Sequence, residues 1–240
     1  MAARDTAWYE AGGMALQGFP GFRTLPRADR ERLDAAGRLL RIPGGTHLFA
    51  AGEPSDFVWG VHEGLVQIVR AGPAGRRLVL EIVPPGELFG AVVALDERPY
   101  PAAAVAAGPS VVWRVPSPLV RDLARKYPTL RAAILAHAAE RLRAAHERLH
   151  SLALEPVEQR LARALLMLAE RVGTPGDGGT TVTVTRQSLA DMVGTTAESA
   201  IRVTGRWQRA GIVRAARNRL TLAEPKGLEA IAAGRTSART

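Results

Sequence analysis

The chain has 240 residues, of which 47% are hydrophobic and 23% charged, a composition typical of a globular protein with a buried core. It contains no cysteine, which excludes disulfide bonds, thiolate zinc sites and cysteine-ligated iron–sulfur clusters. Its formal net charge of +9 favours a polyanionic partner. No run of about 18 apolar residues occurs, and the N-terminus lacks the apolar segment of a secretory signal. We therefore expect a cytoplasmic protein that does not enter a membrane.

The first half of the chain has the texture of a β protein. Residues 1–25 show no sustained periodicity, and we interpret them as a loose leader that ends at a first helix, "RADRERLDAAG". From about Arg38 to Pro116, short runs rich in Val, Ile and Leu alternate with Gly and Pro turns. This alternation predicts an antiparallel β-roll, or jelly roll, within residues 26–127. Because helical patterns follow, the predicted fold class is α+β.

Helical periodicity begins after Pro116. The stretch "SPLVRDLARKYP" predicts a short helix, and a longer helix is predicted over residues 128–155. Apolar side chains in the longer helix recur at alternating spacings of 3 and 4, the a/d pattern of a coiled coil. The members of this seam are Leu135, Ala138, Leu142, Ala145, Leu149 and Leu152. We interpret the helix as the dimerisation element of a homodimer; the alternative is an ordinary helix that faces the protein core.

Residues 156–240 begin with an amphipathic helix, which is followed by a Gly/Thr-rich turn and a short strand. Thr185 is the predicted N-cap of the next helix, "RQSLADMV", and Gly194 is placed to end it. Thr195 is the predicted N-cap of a second helix, with Glu198 three residues later in the position of a capping box. Two short helices around such a turn are typical of a helix-turn-helix.

The second of these helices has two distinct faces. The spacing assigns Ala200, Val203, Trp207 and Ala210 to the domain core. The opposite face combines small residues with arginines, which fits the major groove of DNA. The residues predicted to lie near DNA bases are Glu198, Arg202, Ala197 and Ile201. The alternative is a solvated face on which Glu198 and Arg202 form an i,i+4 ion pair.

Positive charge is concentrated around this motif. The stretch "VRAARNRLTL" predicts a hairpin, or wing, with arginines at or near its tip. Between residues 184 and 222, seven arginines stand against two acids, a local balance of +5 out of +9. Such a cluster predicts contacts with DNA phosphates. The predicted phosphate contacts are Thr185, Arg186, Thr195, Thr196, Arg206, Arg209, Arg214, Arg217 and Arg219.

A β-roll, a long helix and a winged helix-turn-helix in this order resemble the CRP/FNR family of bacterial transcription regulators over nearly the whole chain. The stretch "VTRQSLADMVGTTAESAIRVTGRWQRAGIV" is similar to the family's helix-turn-helix signature, with Glu198 and Arg202 on its E-x-x-x-R pair. The stretch "PPGELFG" is similar to the turn that opens the family's effector-binding cassette. The resemblance implies a homodimer that binds an inverted repeat of TGA-like half-sites in double-stranded DNA and recruits or blocks RNA polymerase.

The effector cassette departs from that of family members that bind cyclic nucleotides. Its positions here are Gly86, Glu87, Leu88, Phe89, Gly90, Ala91, Tyr100 and Pro101. The resemblance places a ribose-binding glutamate at Ala91, and a phosphate-binding arginine followed by serine or threonine at Tyr100 and Pro101. Without that arginine a buried phosphate lacks its counter-charge. Since Arg98 lies two residues too early to replace it, we expect no control by cyclic AMP.

Several alternatives stay open for the effector. Some family members sense gases through haem, and His47 and His62 lie in the predicted β-roll, so a haem-based or other small-ligand gas or redox sensor is one of them. Constitutive DNA binding with a degenerate pocket is another. We otherwise expect no cofactor and no metal.

An enzyme is the rival class. A cupin-like metal enzyme would need clustered histidines with an acid, whereas His47 and His62 are single and fifteen residues apart. Neither a nucleophile elbow nor a phosphate-binding glycine loop occurs, so no catalytic residues are predicted.

Overall fold

A computed structural model describes residues 8–9, 19–72 and 77–235 of the chain. The chain divides into two compact units: Met1–Arg70 with Leu80–Ala145, and Ala71–Val79 with His146–Thr240. Within the described residues, none of the helices is long and apolar enough to cross a membrane.

The first unit is built on two sheets of antiparallel strands, which confirms the predicted β-roll. One sheet has the strand order β1-β2-β9-β4-β7, and the other has the order β3-β8-β5-β6. The strands are β1 Trp8–Tyr9, β2 Arg38–Ile42, β3 His47–Phe49, β4 Phe57–Glu63, β5 Val66–Ala71, β6 Arg77–Val83, β7 Leu88–Phe89, β8 Ala103–Ala106 and β9 Ser110–Pro116. Because side chains alternate along a strand, each sheet turns one apolar face inward. Phe49, Val61, Val66, Phe89 and Val112 are among the buried residues of this core.

Five helices accompany or extend from the β-roll. They are α1 Pro20–Arg23, α2 Arg27–Ala36, α3 Ala91–Asp96, α4 Ser117–Lys126 and α5 Pro128–Leu154. Helices α2, α4 and α5 match the three helices predicted for this part of the chain. Helix α4 begins with Pro118 in its first turn, where the missing N–H has no intrahelical acceptor.

The interpretation of residues 1–25 as a loose leader is wrong in two described parts: Trp8–Tyr9 forms strand β1, which pairs with β2, and the last part forms a helix. Helix α1 forms there, and Phe19, Phe22 and Leu25 are buried in the same core as Leu130. The rings of Phe19 and Phe22 pack edge to face with their centroids 5.3 Å apart. Large aromatic side chains bury enough area to fix even a single helical turn, which is too short to show a periodicity. Residues 1–7 and 10–18 lie outside the described part of the chain.

Helix α5 has one covered face and one open face. Leu130 and Ile134 are buried against the β-roll. Among the seam residues, Leu135, Leu142 and Leu149 are 61%, 58% and 63% exposed. Ala145 is also exposed, while Ala138 and Leu152 are half-buried. The predicted a/d seam therefore lies along an open face of the helix, apart from these two half-buried positions.

The second unit is built around the helix that comes directly after the seam helix in the chain. Its elements are α6 Val157–Val172, β10 Thr180–Thr183, α7 Arg186–Val193, α8 Ala197–Arg209, β11 Val213–Ala216, β12 Arg219–Leu222 and α9 Pro225–Ala232. Strand β12 lies between β10 and β11 in an antiparallel sheet. Leu161, Leu165, Leu189, Trp207 and Leu220 are fully buried and form the centre of this unit. The predicted helix-turn-helix and hairpin are both confirmed.

Arg160 on α6 ties the end of α5 to the end of α7. One of its terminal nitrogens donates to the carbonyls of Leu152 and Glu155, and its Nε donates to the carbonyl of Val193. The last carbonyls of a helix have no intrahelical partner, so a guanidinium can satisfy them and complement the helix dipole. This one side chain thus fixes the end of the seam helix to the helix-turn-helix.

In the first unit, Asp29 connects α2 to the end of α4. Its carboxylate is 6% exposed and accepts hydrogen bonds from the Tyr127 hydroxyl at 2.5 Å, from Lys126 at 3.0 Å and from Arg32 at 2.9 Å. The hydrogen bond from Tyr127, followed by that from Lys126, lowers the pKa of Asp29 to about 2. These bonds favour the charged carboxylate in the folded state.

We predict that Asp29→Asn destabilises the β-roll unit in a pH-dependent way. The folded pKa lies below the ordinary value of about 3.9, so the carboxylate stabilises the fold above about pH 4 and this contribution is lost as the pH falls towards 2. Urea unfolding followed by circular dichroism should give a lower midpoint for the variant at pH 7, and the difference should narrow below about pH 4. Asp122→Asn, at a 67% exposed carboxylate, is the control. Equal shifts for both variants would contradict the assignment.

Candidate nucleic-acid interface

The turn between α7 and α8 has the chemistry of a helix-turn-helix. The Thr185 side chain accepts a hydrogen bond from the backbone N–H of Ser188 at 2.9 Å, which confirms it as the N-cap of α7. Gly194 ends α7 with φ of 64°, a left-handed conformation that glycine adopts without strain. The chain then re-enters a helix within two residues.

The predicted cap of α8 is wrong by one residue. Thr196, and not Thr195, has the extended backbone of an N-cap, and its side chain accepts from the N–H of Ser199 at 3.2 Å. The capping box that we predicted between Thr195 and Glu198 is therefore not formed. Both threonines have the right chemistry, so their sequence alone could not place the first turn. The consequence is that Glu198 is exposed in the first turn of the helix.

The buried face of α8 differs from the prediction at its end. Ala200, Val203 and Trp207 are buried as expected, but Ala210 is exposed beyond the last turn. The fourth residue of the buried face is instead Thr204, which is 2% exposed. Its hydroxyl donates to the carbonyl of Ala200 at 2.8 Å, so this polar residue is buried without an unsatisfied donor.

The outward face of α8 presents the residues predicted to read bases. Glu198 and Arg202 are exposed, Ile201 is 55% exposed, and Ala197 is half-buried at the first turn. Although Glu198 and Arg202 are four residues apart, no ion pair joins these two described side chains. The alternative of a closed surface ion pair is therefore not what the structure shows. A carboxylate, a guanidinium and a branched apolar side chain stand side by side, facing outward.

Arg206 was predicted to contact a DNA phosphate, but its guanidinium forms an ion pair within the unit. Its guanidinium donates to Glu158 of α6 at 3.0 Å and is only 26% exposed. The other carboxylate oxygen of Glu158 accepts from the indole N–H of Trp207 at 3.0 Å. Sequence reasoning missed Glu158, because a glutamate in the first turn of an amphipathic helix gives no signal of a distant partner. Glu158 fixes α8 against α6 through two neighbouring residues.

The hairpin of β11 and β12 places two arginines at its tip. Arg217 and Asn218 form the two-residue turn, in which Asn218 adopts a left-handed φ of 56°. Arg217 and Arg219 are exposed, and Arg209 is exposed at the last turn of α8. All three fit the predicted role of a phosphate contact.

Two other predicted phosphate contacts are partly engaged within the unit. Arg214 donates to the carbonyl of Gly178 at 2.6 Å. Arg186 is half-buried and donates to the carbonyl of Arg219 at 3.4 Å, and burial lowers the pKa of its guanidinium. Arg186 and Arg214 therefore both brace the sheet that carries the wing.

The second region of interest is the effector cassette in the first unit. Gly86 turns the chain with φ of 84°, strand β7 follows, and Gly90 starts α3 with φ of 78°. A cavity of about 280 Å³ lies beside this segment. Ala91, in the position of the ribose-binding glutamate, is 5% exposed and has no polar side chain.

Tyr100 occupies the position where the resemblance places a phosphate-binding arginine. Its ring stacks on Phe49 with the centroids 3.6 Å apart and is 4% exposed. Its hydroxyl donates to the carbonyl of Phe57 at 2.5 Å and accepts from the indole N–H of Trp59 at 3.2 Å. Burial raises the pKa of this hydroxyl, so the group is neutral at physiological pH. It offers no counter-charge to a phosphate.

The remaining candidates of the β-roll lie away from this cavity. Arg98 is 79% exposed and pairs with Asp96 at 3.1 Å, so it does not replace the missing arginine. His47 and His62 are exposed on their strands and are not among the residues that line the cavity. Within the described residues, groups of three or more potential metal ligands are absent.

Comparisons with known proteins match a family to each of the two regions, the effector cassette and the helix-turn-helix. Residues 39–127 match the family described as "Cyclic nucleotide-binding domain", and residues 159–231 match the "Crp-like helix-turn-helix domain". The chain is 30% identical over 175 residues to a CRP-like cAMP-activated global transcriptional regulator of Mycobacterium tuberculosis, covering 72% of this chain and 78% of that one. It is 31% identical over 190 residues to the transcriptional regulator SdrP of Thermus thermophilus, covering 78% and 89%.

A solved structure shares the architecture. A transcriptional regulator of the CRP family from Thermus thermophilus aligns with a TM-score of 0.72 and 26% identity, over 83% of this chain and 99% of that one. Family matches in both halves, relatives of about the same length and a common fold lead to one assignment. The chain belongs to the CRP/FNR family of DNA-binding transcription regulators.

Proposed function

We propose that the protein is a homodimer that binds an inverted repeat of TGA-like half-sites and there recruits or blocks RNA polymerase, without control by cyclic AMP. The observation that carries this proposal is the outward face of α8, where Glu198, Ile201 and Arg202 are exposed side by side. The fold class of a regulator does not require these side chains to be unpaired. Their availability is what base recognition needs.

The chemistry of this face matches a short set of base edges. A guanidinium reads the O6 and N7 acceptors of guanine, a carboxylate accepts from the amino group of cytosine, and an apolar side chain contacts the methyl group of thymine. Arg202, Glu198 and Ile201 supply these three groups within one turn of helix, and Ala197 leaves room beside them. We assign base reading to these four residues.

Phosphate contacts are assigned to the basic and hydroxyl groups around that face. They include exposed side chains at the ends of the helices and at the wing. We retain Thr185, Arg186, Thr195, Thr196, Arg209, Arg214, Arg217 and Arg219 and omit Arg206. Such contacts position the protein on DNA, supply salt-dependent affinity and carry no base sequence information directly.

The homodimer is supported by the open face of α5. Three leucines at a/d spacing are each more than half exposed along a helix of 27 residues. Burying such side chains against a second copy gains about 25 cal/mol per Å² of apolar surface removed from water. The alanines between the leucines allow two helices to approach closely. Two copies of α8 would then match the two halves of an inverted repeat.

The absence of cyclic AMP control is proposed from the two replaced positions. The mycobacterial relative is named as cAMP-activated, but here Ala91 lacks a carboxylate and Tyr100 lacks a positive charge. A cyclic phosphate placed against Tyr100 would lose its hydration with no charged donor at that position in return. Haem is disfavoured in the cavity because its described lining has no histidine, and the hydroxyl of Tyr100, the lining residue that could bind haem iron, is engaged with Phe57 and Trp59. We propose that the protein works without either group.

Disrupting the seam should produce monomers. We predict that Leu142→Glu raises the dimer dissociation constant by at least about a hundredfold, since the apolar contact is lost on both helices and two like charges meet. Sedimentation velocity of the purified protein measures the change. Arg143→Glu introduces the same side chain at the neighbouring exposed position, outside the seam, and should remain dimeric. A monomeric wild type, or two equally dimeric variants, would refute the assignment of these residues to a dimer interface.

DNA recognition should be independent of cyclic AMP. We predict that the ligand-free protein binds a labelled duplex with a TTGA/TCAA inverted repeat more tightly than a scrambled duplex at the same salt concentration. Adding cyclic AMP should leave both affinities unchanged, because the cassette lacks its phosphate and ribose ligands. Fluorescence anisotropy measures both titrations. Binding that requires the nucleotide would overturn this part of the proposal.

Arg202 and Arg217 should differ in what they contribute. We predict that Arg202→Ala costs about 1–3 kcal/mol on the inverted repeat and relaxes the preference at one base position. Arg217→Ala should weaken binding to every sequence alike and reduce the salt slope by about 0.9. Anisotropy titrations on single-base variants of the repeat at several salt concentrations separate the two effects.

The matched control for this pair is Lys226→Ala, which removes one exposed positive charge from α9. It should change neither the base preference nor the specific affinity by a comparable amount. If Arg202→Ala and Arg217→Ala lowered the affinity for all sequences equally, the assignment of base reading to Arg202 would be wrong.

A further inference from the structure

The cavity beside the effector cassette is mostly apolar and has one charged residue in its wall. Rings and branched side chains form its body, including those of Phe49, Ile68, Phe89 and Val93. Among the described lining residues, Arg141 of α5 is the single ionisable side chain that carries a charge at neutral pH. A ligand that fills this cavity must therefore be mainly apolar and must face a guanidinium at one side.

The position of Arg141 is fixed by contacts to the cassette. It donates to the carbonyl of Leu88 at 3.3 Å and is paired with Glu81. His137, one turn earlier on α5, contacts the same carbonyl with its Nε2 at 3.1 Å. These two contacts of Arg141 engage two of the five N–H donors of a guanidinium.

The charge balance around Arg141 limits the ligand to at most one negative charge. Glu81 already neutralises the guanidinium, and both side chains are about three-quarters covered, at 26% and 27% exposure. A ligand with two or more negative charges would meet repulsion from Glu81 without a second cation in the described wall. One carboxylate, in contrast, can accept hydrogen bonds from further N–H donors of Arg141, and charge-assisted bonds of this kind are the strong ones.

We propose that this cavity binds an amphipathic monocarboxylate, with an aromatic or aliphatic body among the rings and its carboxylate on Arg141. The inference rests on the proposed function, since it names the effector class of that regulator. The apolar body lies against Phe49, Phe89 and Tyr100. The charged end lies at α5.

The same cavity contacts the proposed dimer seam through Ala138. This residue lines the cavity and also occupies one of the a/d positions. A ligand body that touches Ala138 and a carboxylate that competes with Glu81 for Arg141 both act on α5 within one turn. Ligand binding should therefore change the packing of the seam helix.

The test compares two probes of the same shape and different charge. Isothermal titration calorimetry of the full-length protein, without DNA, measures the affinity for 2-naphthoate and for its neutral analogue 2-naphthamide. We expect the carboxylate to bind at least about tenfold more tightly, the size of one charge-assisted hydrogen bond. Equal affinities, or no binding of either probe, would overturn the proposal. Displacement of 2-naphthoate by cyclic AMP would also overturn it, in favour of a nucleotide.

Two variants of the ion pair should act in opposite directions. Arg141→Gln should reduce the preference for the carboxylate to about one, and Glu81→Gln should increase it, because a negative charge is removed and the competing carboxylate is replaced by a weaker, neutral acceptor. A general destabilisation of the fold would instead change probe binding in the same direction in both variants. Loss of preference in both, or in neither, would show that Arg141 does not hold the ligand.

A third variant locates the site. Ala102→Leu adds volume at a cavity-wall residue that is 4% exposed and should weaken both probes about equally. Ala107→Leu makes the same change at an exposed position of the β-roll and should leave binding unchanged. If Ala102→Leu does not fold, as judged by thermal unfolding, the ion-pair variants decide the question.

Failure of this inference is distinguishable from failure of the proposed function. Probe binding is measured without DNA, and titration of the inverted repeat is measured without probe. Selective DNA binding with no preference for the carboxylate would leave the regulator intact and refute the effector class. A carboxylate preference with no selective DNA binding would support the effector class and refute the proposed DNA recognition.

Discussion

Helix α5 has two apolar faces, and the described chain covers only one of them. Leu130 and Ile134 bury one face on the β-roll, while three leucines at a/d spacing remain open on another. An exposed apolar stripe of this regularity is unfavourable in water, and in the proposed dimer a second copy of the same helix would cover it with matching geometry. The proposed dimer, and with it the presentation of two α8 helices to one DNA duplex, depends on this constraint.

The end of α5 bears directly on the DNA-binding motif. Arg160 satisfies the carbonyls of Leu152 and Glu155 and also that of Val193, the last residue of α7. Glu158, two residues earlier on the same helix α6, holds Arg206 and Trp207 of α8. Both helices of the motif are therefore fixed to α6 by buried or half-buried polar contacts. These contacts offer a path by which a displacement at the end of α5 would act on α7 through Arg160 and on α8 through α6.

Much of the fold and of the interface could be predicted from periodicity. Strand-length apolar runs gave the β-roll, spacings of 3 and 4 gave the seam helix, and caps with apolar faces gave the helix-turn-helix. The errors lie where two local solutions have nearly the same chemistry. Thr195 and Thr196 are both competent caps, and Thr204 can replace an apolar core residue because its hydroxyl bonds to the preceding turn.

Residues whose role depends on distant partners could not be found in this way. Arg206 has the spacing of a surface arginine, yet the position of Glu158 on another helix makes it structural. Arg141 likewise has no local signal, since its meaning comes from Glu81 and from the carbonyl of Leu88. Phe22 belongs to a helix of four residues and Phe19 is its N-cap, and four residues are little more than one 3.6-residue turn, too few for a pattern to repeat. Periodicity reports the face of an element but not what lies opposite to it.

The replacement of an arginine by Tyr100 changes what kind of signal the β-roll can receive. A phosphate site would place its charge among the strands, whereas here the rings of Tyr100 and Phe49 close that region and the charged residue of the wall is on α5. An effector can shift an equilibrium only through contacts that differ between the two states. For the proposed monocarboxylate, the candidates for such contacts are Ala138 and Arg141, the lining residues on α5. In that proposal, the seam helix itself would receive the signal.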